Sequence, residues 1–183
     1  MVNNTIVPGF DDEIEDSLKM TLQKVPELEN GLIIILNGYI DTYNSNYFLK
    51  RIQKAIDAGY IRLIFHCGSL NYVSSTGIGS FSAFLKSVRP RGGDMILLDI
   101  QQTVYEVLQL LDFSTVFNIQ DSLENSLRSF RGETIEQAST IFPKIFKCPN
   151  CANTLEAAKP GNFRCSECKT IITISNSGGV FLG

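Results

Sequence analysis

The stretch "IRLIFHCGSLNYVSSTGIGSFSAFLKSV", residues 61–88, decides the fold. It starts with a short apolar run, passes through a hydroxyl triplet at residues 74–76, and continues as an amphipathic segment. Such an apolar run is typical of a buried strand. Hydroxyl side chains favour the first turn of a helix, where they accept hydrogen bonds from unpaired backbone N–H groups. The stretch therefore predicts a strand at 61–67, a loop to Val73 and a helix at 76–88.

The same alternation extends in both directions along the chain. The predicted strands are 17–25, 32–38, 61–67, 94–100 and 114–120, and the predicted helices are 41–59, 76–88, 101–113 and 121–132. Asp41 or Thr42 is expected to cap the first helix, and Asp121 or Ser122 the last. Strands that alternate with helices imply an α/β fold with a mixed, mainly parallel β-sheet and four helices, in which the first strand lies at an edge.

The composition indicates a folded protein without a membrane segment. Hydrophobic residues make up 44% of the 183 residues and charged residues 19%, an ordinary balance for a folded chain. No apolar run approaches the roughly 20 residues that a membrane-spanning helix needs. The start "MVNNTIVPGFDDEIED" lacks the basic and apolar regions of a secretory signal, which predicts a cytoplasmic protein with a flexible acidic N-terminus at 1–16.

Four of the five cysteines form two Cys-x-x-Cys pairs, Cys148 with Cys151 and Cys165 with Cys168. Each pair can wrap a tight turn with both sulfurs facing one ion, and two such turns complete a tetrahedron. Disulfides are unexpected in a cytosolic chain, and an iron site of the rubredoxin type is the other alternative. We predict a zinc ribbon at 146–176 with a structural Zn²⁺, because four thiolates leave no position for a catalytic water.

The end of the chain is mildly basic. Residues 144–183 carry five Lys or Arg and two Glu, a net charge of +3, in a chain whose total is −3. The basic residues are Lys144, Lys147, Lys159, Arg164 and Lys169. This charge gives thin support to nucleic acid binding through the ribbon, and a protein-docking role or a capping role is favoured over it.

The hydroxyl triplet admits two interpretations. In the first, it caps the helix, and Gly77 and Gly79 allow backbone and sheet to approach closely. In the second, it is also a switch, because a phosphate on Ser75 would add about −1.5 to −2 charge at pH 7 to an exposed turn. A helix N-terminus is a ready site for such an anion.

Taken together, residues from about 17 to 131 resemble the STAS domain, the fold of bacterial anti-sigma-factor antagonists. "LIIILNGYID" resembles the family's strand ending in Gly-x-x-Asp, and "IRLIFHCGSLNYVSSTGIG" resembles its strand, loop and Asp-Ser-Ser/Thr-Gly-Leu-Gly turn. "GGDMILLDI" resembles the next strand, and "VLQLLDFSTVFNIQDSLENSL" the end of the domain, with Asp112 and Phe113 where many members have Gly-Leu.

The resemblance implies a phosphoacceptor and its partners. In the family, the Ser after the motif Asp is phosphorylated by a kinase that is also an anti-sigma factor, and a metal-dependent Ser/Thr phosphatase resets it. By position the acceptor is Ser75, with Ser74 and Thr76 as alternatives. The partner-binding residues carried over in this way are Asp41, Ser74, Ser75, Thr76, Gly77, Ile78 and Gly79.

Two departures accompany the resemblance. Ser74 stands where the family usually has Asp, and His66 stands where many members have another Asp, so much of the acidic rim is missing. His66 is expected to be a hydrogen-bonded structural residue and Cys67 a small core residue. No base, nucleophile and oriented partner occur together, so we do not expect an enzyme.

The sequence thus predicts a regulatory interaction protein. Its STAS domain, residues 17–132, would bind a serine kinase that is also an anti-sigma factor, or a signalling scaffold, under control of Ser75. A linker at 133–145, the zinc ribbon and a tail at 177–183 would follow. The alternative is a nucleic-acid or transcription-machinery adaptor that acts through the ribbon, with the STAS domain as its docking platform.

Overall fold

The apolar runs form a five-stranded sheet in the computed structural model, which describes residues 6–133, 144–158, 161–174 and 179–182. The chain divides into two units, 1–133 and 134–183. The predicted linker at 133–145, residues 159–160 and the predicted tail at 177–183 lie wholly or partly outside the described residues.

The first unit alternates strands with helices after an initial strand pair. The sheet order is β1-β2-β3-β4-β5; β1 runs antiparallel to β2 at one edge, and the other neighbours are parallel. The elements are β1 (Leu18–Lys24), β2 (Gly31–Ile40), α1 (Ser45–Asp57), β3 (Arg62–Val73), α2 (Ser75–Val88), a 3₁₀ turn (Arg89–Arg91), β4 (Asp94–Leu98), α3 (Gln102–Leu110), β5 (Asn118–Gln120) and α4 (Leu123–Phe130). This arrangement confirms the predicted mixed, mainly parallel sheet with four helices.

One face of the sheet carries the main core, because side chains alternate between the two faces of each strand. Phe65 of β3 meets Phe48 of α1 and Phe81 and Phe84 of α2, with ring centroids 5.1–6.0 Å apart, and the three helical rings also contact one another at 5.1–6.3 Å. Edge-to-face contacts predominate among these rings, an arrangement that adds to the energy of burial. The cluster holds α1 and α2 against β3.

The opposite face is covered in part by α4. Ile33, Ile64 and Leu98 alternate with the residues of the main core and form a second buried cluster with Leu127 and Phe130 of α4. His66 also faces this side, since it lies between Phe65 and Cys67, both buried in the main core. The sheet therefore separates two cores of unequal size.

The strand β3 is longer than predicted. It continues through Val73, whereas the sequence predicts that the strand ends at Cys67 and a loop follows. Ser69, Leu70, Tyr72 and Val73 remain paired with the end of β2, with two shifts of register. Ser69, Asn71 and Tyr72 are exposed whereas Leu70 is buried, so the apolar pattern is interrupted before the hydrogen bonding ends.

The helix caps differ from the predictions in one case. The first helix begins at Ser45 with Asn44 as its N-cap residue, so the prediction of Asp41 or Thr42 is wrong. The Asp41 carboxylate accepts hydrogen bonds from the N–H groups of Tyr43 and Asn44, which forms a turn ahead of the helix. At α4 the predicted Ser122 is the cap and accepts a hydrogen bond from the N–H of Asn125.

Residues 6–17, here called the N-terminal strap, pack on α1. Phe10 is 1% exposed, and its ring centroid lies 4.0 Å from the guanidinium carbon of the buried Arg51. Arg51 also contacts the Asp11 carboxylate at 2.9 Å and donates to the backbone carbonyl of Glu13 at 2.7 Å. Residues 6–16 are thus anchored, and the prediction of a flexible acidic N-terminus does not describe them.

The second unit consists of short strands around the cysteines. The strands β6 (Lys144–Lys147) and β7 (Thr154–Ala157) form one hairpin, and β8 (Gly161–Arg164), β9 (Ile171–Ile174) and β10 (Val180–Leu182) form a three-stranded sheet. Phe146, Ile172 and Ile174 are buried together with Cys148 and Cys165. Units with so small a core usually need a metal, disulfides or oligomerisation to be stable.

Within the described ranges, no helix combines the length and the apolar character required to cross a membrane.

Candidate functional site

The first residue of the hydroxyl triplet is the cap of α2. Ser74 has extended backbone angles, and its side-chain oxygen accepts a hydrogen bond from the N–H of Gly77 at 3.2 Å. Its own N–H donates to the carbonyl of Ile40 at 2.7 Å. Because Asp and Ser are equally good caps, Ser at this position keeps the structural role of the Asp that the family usually has there.

The other two hydroxyl residues of the triplet, Ser75 and Thr76, are exposed to solvent. Ser75 is the first residue of α2 and is exposed, and Thr76 is exposed beside it. The Oγ1 atoms of Thr76 and Thr42 are 3.5 Å apart, which brings the loop after β2 to the N-terminus of α2. The structure therefore separates the triplet into one buried cap and two accessible hydroxyls.

The predicted partner-binding residues differ in accessibility. Ser75, Thr76 and Gly79 are exposed, Asp41 is half-buried, and Ser74, Gly77 and Ile78 are buried. The buried members shape the helix start, because the Cα of Gly77 faces the side chains of Ile40 and Val73. Only the exposed members and Asp41 can contact another molecule directly.

Replacing Ser74 tests the cap. Ser74→Ala should lower the free energy of unfolding by about 1 kcal/mol, because the Gly77 N–H loses its partner. Ser74→Asp retains an equivalent acceptor and should stay within about 0.5 kcal/mol of the wild type. Urea denaturation followed by circular dichroism measures both values. Equal losses in the two variants would contradict the capping role.

His66 and Cys67 have structural surroundings. The Nδ1 atom of His66 accepts a hydrogen bond from the N–H of Gly68 at 3.4 Å, and its Nε2 lies 3.9 Å from the Asp99 carboxylate. Cys67 is buried, its thiol donates to the carbonyl of Phe65, and burial raises the pKa of that thiol. A thiol with a raised pKa is a poor nucleophile at neutral pH.

The four C-terminal cysteines converge on one point. All four Sγ atoms lie within 4.8 Å of one another. The Sγ atoms of Cys148 and Cys168 are 3.7 Å apart, and those of Cys151 and Cys165 are 3.6 Å apart. A tetrahedral site with Zn–S bonds of 2.3 Å needs S–S separations of about 3.8 Å. The sulfur positions fit a single Zn²⁺.

The two Cys-x-x-Cys turns are built alike. Cys148 exchanges backbone hydrogen bonds with Ala152 and Asn153, and Cys165 does so with Lys169 and Thr170. The fifth residue of each turn has a left-handed backbone, with φ of 59° at Ala152 and 63° at Lys169. Non-glycine residues adopt this conformation at a cost of about 1–2 kcal/mol, so the same shape is imposed twice against local preference.

The pKa of Cys168 favours metal binding by its sulfur. Hydrogen bonds from the Thr170 side chain and backbone lower the pKa of Cys168 to about 5. The thiolate is the form that binds metal. Together with the sulfur geometry, this donor set suits a four-thiolate metal site and leaves no ligand position for water.

Two family models match parts of this chain. Residues 19–126 match the family model of the STAS domain, which is more than half of the chain, and residues 145–183 match that of a domain of unknown function (DUF8512). The chain belongs to the STAS domain family.

Individual relatives share the first unit. BtrV of Bordetella bronchiseptica, named as a candidate anti-sigma factor antagonist, is 25% identical over 62% of this chain and 96% of its own length. The anti-sigma F factor antagonist of Paenibacillus polymyxa is 26% identical over 60% of this chain and 93% of its own. The solved structure of the anti-sigma factor antagonist SpoIIAA in its unphosphorylated form covers 62% of this chain and 97% of its own, with a TM-score of 0.53 at 23% identity.

Several residues beside Ser75 are not found by sequence reasoning. Tyr39, Tyr43 and Tyr72 are exposed next to it, and Asn44 fixes the loop that carries Tyr43. A lone tyrosine in a polar stretch gives no pattern in one sequence.

Proposed function

We propose that this protein is a regulatory protein of the anti-sigma-factor-antagonist kind. It binds a serine kinase that is also an anti-sigma factor, or a signalling scaffold, through the surface around Ser75. Phosphorylation of Ser75 releases the partner, and a Ser/Thr phosphatase restores binding. The names of the relatives support the regulatory role, and the SpoIIAA structure is described as the unphosphorylated form of that protein.

The observation that carries the proposal is the separation of roles between Ser74 and Ser75. Ser74 caps the helix, so the Ser75 side chain is not needed for capping and is exposed to solvent at the first residue of α2. A phosphate there would meet the positive end of the helix dipole and leave the fold intact. The added charge would act on whatever molecule binds the surface.

The switch is tested on Ser75 itself. Phosphopeptide mapping across residues 74–76, on protein isolated from its own cells in several growth states, should find a state-dependent phosphate on Ser75. With the partner that co-purifies, Ser75→Asp should weaken binding at least about tenfold, and Ser75→Ala should bind as the wild type does. Equal binding by both variants, or well-covered peptides without phosphate, would contradict the switch.

The second unit is proposed to be a zinc ribbon with a structural ion. Cys148, Cys151, Cys165 and Cys168 would hold Zn²⁺, which would supply folding energy and no chemistry. The support is the convergence of the four sulfurs and the paired turn geometry. The ion would connect the hairpin of β6 and β7 to the sheet of β8 to β10.

A further inference from the structure

The exposed residues around Ser75 lie at and just beyond the carboxyl ends of β2 and β3. We call them the tyrosine surface, which consists of the exposed residues of 37–44 and 69–80. Tyr39 and Tyr72 are register partners on the adjacent strands β2 and β3, so their side chains lie on the same face. The contact between Thr42 and Thr76 joins the loop after β2 to the start of α2.

Three aromatic side chains dominate this surface. Tyr39 is 42% exposed, Tyr72 is 50% exposed and Tyr43 is 95% exposed. Tyrosine offers a large, rigid contact area at a small cost in side-chain entropy, and for this reason it is enriched among the residues that dominate protein interfaces. All three lie at or just beyond the carboxyl ends of β2 and β3, the end of the sheet at which Ser75 begins α2.

The composition of the rest of the tyrosine surface also favours a protein partner. Ten residues of the tyrosine surface are exposed; none of these ten is charged, and eight are Tyr, Ser, Asn or Gly. The half-buried Asp41 is the charged residue within the same two ranges, and its carboxylate accepts hydrogen bonds from the N–H groups of Tyr43 and Asn44. In the chain as a whole, 19% of the residues are charged. Tyr, Ser, Asn and Gly are the residues that antibody loops use to bind protein surfaces. A site for an anionic partner such as nucleic acid would require Lys or Arg.

The surface is also held in place before any partner arrives. Asn44 is 2% exposed; its amide nitrogen donates to the carbonyl of Tyr39 and to the hydroxyl of Ser17, each at 2.8 Å. Its amide oxygen accepts from the N–H of Asp41 at 2.9 Å, and the carboxylate of Asp41 accepts from the N–H of Tyr43. A loop fixed in this way loses little entropy on binding.

We propose that Tyr39, Tyr43 and Tyr72 are the anchors by which this protein binds its protein partner, and that the contact face of the partner is uncharged. The proposal rests on the proposed function for its placement at Ser75 and adds the chemistry of recognition. Association of two uncharged faces is not steered by charge and is nearly independent of salt. A phosphate on Ser75 would then be placed against a face with no cation to receive it, which explains release.

The partner is first identified from the surface itself. The full chain with p-benzoylphenylalanine in place of Tyr43 is irradiated in its own cells, and the adduct is identified by mass spectrometry. The same replacement at Leu110, which is 82% exposed on α3, is the control. We expect an adduct with a single protein from position 43 that is absent from position 110. Absence of any adduct from position 43 in every growth state would overturn the proposal.

The purified partner then tests the chemistry. Tyr39→Ser, Tyr43→Ser and Tyr72→Ser together should weaken binding at least about 100-fold, Tyr43→Phe should retain most of the affinity, and Leu110→Ser should have no effect. The Kd should change less than about threefold between 0.05 and 0.5 M NaCl. Unchanged binding by the triple variant, or a tenfold loss with salt, would overturn the proposal.

The two proposals fail in different ways. A partner that depends on the tyrosines but has no kinase or anti-sigma activity would contradict the proposed function and retain this inference. A kinase that binds the triple tyrosine variant normally, but does not bind the Ser75→Asp variant, would support the proposed function and contradict this inference. A nucleic acid recovered at the surface, with steep salt dependence, would contradict both.

Discussion

Cys165→Ser should remove the metal from this protein and unfold its second unit. Cys165 is fully buried, and three thiolates cannot complete the tetrahedron. Loss of even an outer-shell partner of a metal costs 10–100-fold in affinity, so loss of a ligand should cost more than about 100-fold. For structural zinc the binding free energy, about 10–16 kcal/mol in zinc-finger peptides, is also folding free energy.

The measurement combines metal analysis with amide NMR spectra. The wild type should contain about one zinc per chain, and Cys165→Ser should contain almost none. The resonances of the second unit should then collapse to unfolded positions while those of the first unit stay in place. Cys67→Ala is the matched control, because Cys67 is a buried cysteine outside the cluster and its loss should leave the zinc content unchanged.

Two results would contradict the zinc site. Iron detected by visible absorption of the purified chain would mean that the four-thiolate centre exists but holds iron instead of zinc. Disulfides in protein isolated under reducing conditions would remove the centre altogether. A Cys165→Ser variant that retains both zinc and dispersed resonances would show that the cluster is not needed for folding.

The second large effect is a contrast between the two glycines of the Gly-Ile-Gly turn. A Cβ on Gly77 would lie 2.6 Å from Cγ2 of Ile40 and 2.9 Å from Cγ2 of Val73, both buried. Gly77→Ala should therefore destabilise the first unit by about 1–3 kcal/mol through overpacking. A Cβ on Gly79 meets nothing within 4 Å, so Gly79→Ala should stabilise it by about 0.5–1 kcal/mol through helix propensity.

This contrast is measured by urea denaturation of the two variants. The chain has no Trp, so the transition is followed by circular dichroism. Neither glycine has a positive φ, which means that backbone strain does not enter and the difference reports packing alone. A similar response from both variants would show that α2 shifts away from Ile40 without cost.

The sequence predicts the sheet and the helices because their apolar periods are clear. It misses the end of β3, because Ser69, Asn71 and Tyr72 interrupt the apolar run and the pairing with β2 depends on two shifts of register that only the tertiary structure defines. It also misses Asn44 as the start of α1, since the competing Asp41 has equal capping preference and the choice depends on the contacts of Asn44 with Tyr39 and Ser17.

The candidate site is predictable to a similar extent. The spacing of the cysteines is sufficient to bring four sulfurs together, and the triplet is sufficient to place hydroxyls at a helix start. Which hydroxyl turns inward is a matter of backbone geometry at Ser74. Asp112 is the opposite case: it adopts φ of 59°, a left-handed conformation that glycine favours and that an Asp in the sequence does not predict.

The N-terminal strap limits how far the first unit can be truncated at its N-terminus. The family match begins at residue 19, after Phe10, Asp11 and the carbonyl of Glu13 have already made their contacts with Arg51. A fragment trimmed to the family boundary would expose the Arg51 guanidinium and remove both its counter-charge and the ring that covers it. It would also remove the Ser17 hydroxyl that supports Asn44, so the shortened piece would present Ser75 beside a loosened loop. The functional piece of this chain therefore starts earlier than its family resemblance does.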